Sequence, residues 1–247
     1  MKPRQRSLTG LLFAIVLVPV ILGLIACLPV PLGDPEKSRI DPELSGVWLR
    51  YYDDETVLML FEPWDKRTWL LTAYEFNFDK CAAPAVEFDE DEPPGYAEVV
   101  TAFRALGPDC VAGELDEVYR AWIANLGGEQ FMTWEPKSVF DEADGFEPEY
   151  WLGFRVGTAS TDELTLRFVD IESPAFEEER VAELLDKLDD QGLPRDPRLL
   201  KSAKSAVEKI IRRNVDDDAL YEENPVLLYR AKPEDYDLFV GGVVSDQ

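Results

Sequence analysis

The chain has 247 residues, 46% hydrophobic and 11% aromatic, a composition that excludes an intrinsically disordered protein. Its 50 acidic and 25 basic residues give a formal net charge of −25, which argues against nucleic acid as a partner. It contains no histidine, so Ser-His-Asp and Cys-His catalysis and histidine-based metal sites are excluded as well.

Residues 1–26 have the plan of a secretory signal peptide. Lys2, Arg4 and Arg6 form a basic start, an apolar run extends from Leu11 to Ala26, and the small Ala26 precedes Cys27. The run ends in Leu24-Ile25-Ala26-Cys27, which resembles the lipobox of bacterial lipoproteins. The resemblance implies that Cys27 becomes the first residue of the mature chain. It would carry a thioether-linked diacylglycerol and an amide-linked acyl chain such as palmitate, and two or more chains anchor stably. It also implies a place in the cell envelope, at the outer membrane facing the periplasm in a host with two membranes, because Leu28 and not Asp follows the cysteine. At about sixteen residues the run is near the lower limit for crossing a bilayer core of roughly 30 Å. An uncleaved anchor and plain secretion are therefore the competing expectations.

Residues 27–44 carry Pro29, Pro31, Gly33, Asp34, Pro35 and Pro42 and read as the lipidated end of an extended tether. Extended proline-rich chain covers about 3.1 Å per residue, so this stretch is expected to hold the body up to roughly 45 Å from the bilayer. The remainder, 45–247, reads as a single globular domain.

Strands are expected at Val47 to Asp53, Thr56 to Phe61 and Thr68 to Phe76, from their β-branched and aromatic residues. An insertion follows over 80–114, with the acidic run Asp89 to Glu92, the turn Pro93-Pro94-Gly95 and a short helix from Tyr96 to Leu106. Cys81 and Cys110 bracket it. In an oxidising compartment an even pair is expected to form a disulfide, worth roughly 3.5 kcal/mol in the chain-entropy model. Two buried thiols are the alternative.

Glu117 to Leu126 and Gln130 to Glu135 flank Gly127-Gly128, a hairpin signal. Tyr150 to Gly157 and Leu164 to Asp170 make a further pair. Val181, Leu184, Leu185 and Leu188 have helical spacing before Gly192, and a second helix runs from about Asp196 or Pro197 to Arg213. That helix has a basic face of Lys201, Lys204, Lys209, Arg212 and Arg213, read either as pairing with nearby acids or as contacting a lipid head group or acidic partner. Pro225 to Ala231 and Tyr236 to Val240 are expected as late strands. The fold class expected is α+β: an antiparallel β-meander or small barrel with two C-terminal helices packed on it.

Leu44-Ser45-Gly46-Val47-Trp48 resembles the Gly-x-Trp at the first strand of lipocalins. The resemblance implies a tryptophan that closes one end of a small barrel whose mouth takes a hydrophobic ligand. Trp48, Trp69, Trp122 and Trp134 are the candidate pocket residues, with Tyr51, Tyr74 and Phe131 nearby; ordinary core packing is the alternative. No Gly-x-Ser-x-Gly elbow, P-loop or dinucleotide fingerprint is present. Asp216-Asp217-Asp218 lacks the spacing of an EF-hand loop. No catalytic residue, metal or cofactor is expected. The expectation is a membrane-anchored lipoprotein acting on an envelope protein partner as a non-enzymatic interaction or envelope-maintenance module, with a lipocalin-like carrier of a small hydrophobic ligand as the alternative.

Overall fold

Seven strands follow one another as antiparallel neighbours and an eighth closes the ring. The computed structural model describes residues 27–52, 55–77, 95–106, 112–137, 148, 150–160, 162–193, 195–236 and 238. Cys81 and Cys110 lie outside these residues, and so does the acidic run before Pro93.

The ring comprises β2 (Gly46–Tyr52), β3 (Glu55–Pro63), β4 (Trp69–Asn77), β5 (Ala112–Leu126), β6 (Glu129–Pro136), β7 (Trp151–Ala159), β8 (Glu163–Phe168) and β9 (Val226–Arg230). Helix α1 (Tyr96–Leu106) lies between β4 and β5 in sequence; α2 (Glu179–Gln191) and α3 (Pro197–Arg213) lie between β8 and β9. Each strand from β2 to β8 pairs with its successor, and β9 pairs with both β8 and β2. Among the described residues the result is a closed antiparallel barrel of eight strands with three α-helices, two of them C-terminal. Closure leaves no open sheet edge.

Local chemistry accounts for most of these elements. Gly127 and Gly128 both take positive φ, 67° and 96°, as the tight turn between β5 and β6 requires. Asp196 caps α3 by accepting from Arg198 N at 2.7 Å, with Pro197 in the first turn. Strand β5 begins at Ala112, five residues before the expected Glu117, because it pairs with the end of β4 across a bulge between Ala73 and Tyr74. Tyr236 and Leu238 are helical and not a strand: they follow a 3-10 turn at Pro233–Asp235 and pack with α1.

Alternation along the strands separates an inner from an outer core. Trp48, Phe61, Trp69, Tyr119, Trp134 and Phe154 belong to the inner one. On the outside, Val99, Val100 and Phe103 of α1 cover Val47, Leu49 and Leu58. Asp235 is buried there, accepting from Tyr96 Oη at 2.8 Å and pairing with Arg104. A second outer core joins α2 and α3 to Leu126 and Phe131.

The N-terminal stretch departs most from expectation. It is not a free tether. Cys27–Leu28 form β1, paired antiparallel with β7 through Cys27–Leu152 and Leu28–Trp151. Leu28, Val30 and Leu32 have no exposed surface and join the core beneath α3. Leu32 O accepts from Trp122 Nε1 at 2.7 Å and from Thr133 Oγ1 at 3.0 Å. Gly33 N donates to Glu208 Oε1 at 3.1 Å, and Lys204 donates to Gly33 O. Gly153 makes room for this clasp, since a Cβ there would stand 2.3 Å from Leu28 Cδ1. The prolines fall at the alternate, half-buried positions, so they do not interrupt an alternating apolar pattern. The chain then crosses one end of the barrel, where Ile40 and Leu44 pack on the inner core.

A packed clasp has a measurable signature. Leu32→Ala should lower stability to urea by about 2–5 kcal/mol, the usual loss for a fully buried leucine. A free tether predicts no change.

Candidate functional site

The inside of the barrel is the candidate site, and its two ends differ. At the end where β2 starts, the Trp48 indole donates Nε1 to Leu44 O at 2.9 Å. The Arg230 guanidinium lies over the Trp48 ring, 4.3 Å from its centroid. Arg230 Nη1 donates to Ser45 O at 2.8 Å, and Nη2 donates to Glu43 O. Trp69 Nε1 donates to Ser45 Oγ at 3.2 Å. A cation over an aromatic face and hydrogen-bonded to main-chain carbonyls is a strong contact. It ties the last strand to the turn that precedes the first.

The middle of the barrel is aromatic. Trp134 lies 4.4 Å from Phe154, 5.6 Å from Tyr119 and 6.3 Å from Phe61, centroid to centroid. Phe154 in turn lies 4.3 Å from Phe168. Trp134 is 5% exposed, and its Nε1 has no hydrogen-bond partner among the described residues. The other buried indoles all donate: Trp48, Trp69 and Trp122 as above, and Trp151 to Glu135 Oε2 at 3.4 Å. A buried donor without an acceptor costs about 1–3 kcal/mol.

The opposite end carries charge. Arg50 pairs in register with Val57 and Leu228, and Glu117 with Ala73; all three of those partners are inner-core residues, so Arg50 and Glu117 occupy inward positions. Cys27 stands opposite Leu152, which also packs on the inner core. Partial burial, with the Asp116 charge beside it, pushes the Glu117 carboxyl above the ordinary range. Burial, then the Glu117 charge, pushes the Cys27 thiol up.

Of the four tryptophans named from the sequence, Trp48, Trp69 and Trp134 meet inside the barrel. Trp122 lies on the outer face of β5, under the N-terminal clasp, because its neighbours Ala121 and Ile123 take the inward positions. Phe131 is likewise in an outer core, as is Tyr74 at the edge of the one under α1. The sequence reading missed Arg230. Its signal was parity: in Val226, Leu228 and Arg230 the inward positions of the last strand end in a cation.

Two other features have structural work. Asp217 caps a 3-10 turn through Ala219 N at 3.0 Å, and Asp218 pairs with Arg167 at 2.7 Å. On the basic helix, Arg212 pairs with Glu208 at 2.8 Å and Arg213 with Glu178 at 2.9 Å. Among the described residues no group of three or more Cys, Asp or Glu is placed to hold a metal ion.

The fold and site thus define a class: a closed up-and-down β-barrel with an aromatic interior. Comparison with protein-family models, curated proteins and solved structures finds no match in any of the three.

The sign of the Glu117 effect can be tested. Its folded-state carboxyl holds a proton to higher pH than the unfolded chain does, so folding stability falls as pH rises from about 4.3. Glu117→Gln should therefore gain stability at neutral pH and change little below the carboxylate range, in urea unfolding at the two pH values. A loss at neutral pH would show instead that the carboxylate is held by a cation.

Proposed function

We propose that the protein is a membrane-attached, lipocalin-like carrier whose barrel binds a small apolar ligand with a hydrogen-bond acceptor at one end. The observation that carries this reading is Trp134 Nε1, unpartnered among the described residues, inside a closed aromatic barrel. An eight-stranded barrel has an interior that side chains fill or that admits one small ligand. Apolar rings supply most of the binding energy, and one placed donor fixes orientation. A fatty-acid carboxylate or an ester carbonyl has the required acceptor. The Trp48–Arg230 brace supports entry at the other end, since it occupies the end where the N-terminal chain crosses.

The departures from the lipocalin resemblance are additions to the ring: α1 between β4 and β5, and α2 and α3 before β9. The closed antiparallel ring is compatible with such a carrier. Attachment rests on the basic start, the apolar run and Leu24-Ile25-Ala26-Cys27, with acyl chains on Cys27 as the anchor and the cell envelope as the place.

Two experiments test the two halves. Native mass spectrometry of the purified protein should show a bound lipid or fatty acid. Trp134→Phe should weaken a long-chain fatty acid by about 1 kcal/mol, roughly fivefold, more than it changes the binding of an alkane of equal length. Bare protein that instead captures an envelope protein would favour an interaction module. Cys27→Ser should release the protein from the membrane fraction or leave its leader uncut. Attachment at mature size without the cysteine would count against lipidation.

A further inference from the structure

We infer that the barrel end carrying Cys27 lies directly against the lipid bilayer, the membrane being the partner of that face. The inference rests on the membrane attachment proposed above but not on ligand carriage. The apolar run Leu11 to Ala26 ends one residue before Cys27. Cys27 itself is already paired with Leu152, and Leu28 is fully buried. No spacer therefore separates membrane-inserted atoms from the barrel, whether those atoms are acyl chains on Cys27 or a retained apolar segment. One residue spans at most about 3.6 Å, against the roughly 45 Å of an extended tether.

The surface at this end is suited to the contact. Among the described residues three large hydrophobic side chains are exposed: Trp64 at 62%, Leu115 at 48% and Leu193 at 43%. Single exposed leucines are ordinary, and position is what counts here. Leu115 stands two residues before Glu117, whose charge acts on Cys27. Leu193 stands two residues before Arg195, whose guanidinium lies 5.7 Å from the Trp151 ring beside β1. Trp64 lies in the β3–β4 turn at the opposite end. A barrel seated this way turns the Arg230-braced end away from lipid.

The test is photo-crosslinking in native membranes. p-Benzoylphenylalanine is placed in the full-length protein at Leu115, at Leu193 or at Trp64, and phospholipid adducts are counted by mass spectrometry. The inference expects adducts from Leu115 and Leu193 at several times the yield from Trp64. A flexible Gly-Ser spacer of about twelve residues, spanning roughly 19 Å, inserted between Cys27 and Leu28 should abolish that difference while the protein stays membrane-bound. Equal yields, a higher yield from Trp64, or protein adducts in place of lipid at Leu115 and Leu193 would overturn the inference and leave the attachment standing. Absence of the unmodified protein from the membrane fraction would overturn both.

Discussion

Ring closure between β9 and β2 is the contact on which the rest of the structure depends. It rests on three paired positions, Trp48–Arg230, Leu49–Tyr229 and Arg50–Leu228. A sheet joined over so short a length needs reinforcement, and Arg230 supplies it. One guanidinium covers the Trp48 ring and holds the carbonyls of Glu43 and Ser45. Without this joint β2 would be an exposed edge, and the inner core would open along it. The pair also decides polarity, because it braces one end of the barrel and leaves charged inward positions at the other.

The N-terminal stretch is governed by the same logic of covering surface. The outer faces of β5, β6 and β7 carry apolar residues that other parts of the chain cover. Helix α3 covers part, and Leu28, Val30 and Leu32 fill the space beneath it. Proline suits this role. It has no N–H to leave unsatisfied and holds the chain extended, so alternate side chains point inward. A segment that looks like a spacer by composition is therefore part of the fold by pattern. That shift places Cys27 against the barrel and not at the far end of a leash.

How much of this could be read from the chain follows from sequence separation. The Gly127-Gly128 hairpin, the Asp196-Pro197 helix start and the alternation in β8 are local signals, and each marks its element. The pairing of β9 with β2 joins residues more than 170 positions apart, and no local pattern encodes it. Alternation could place Trp48 and Trp134 on strand faces but not on a shared inside. Trp122 shows the limit: an aromatic in the same strand region takes the outward parity, and there the clasp offers its indole an acceptor at Leu32 O. The clasp has its signal in the period-two pattern of Leu28-Pro29-Val30-Pro31-Leu32, which the proline content masks.

Trp134 departs from the economy of the rest of the interior. Trp48, Trp69, Trp122 and Trp151 each place the indole N–H against an acceptor, so the fold can satisfy such groups where stability alone is at stake. Phenylalanine at position 134 would remove the unmet donor, but its smaller ring would leave a space beside Phe154 and Tyr119. A buried donor with no acceptor among the described residues, beside four indoles that have one, calls for an explanation. An acceptor is the feature that the ligand proposed above would supply.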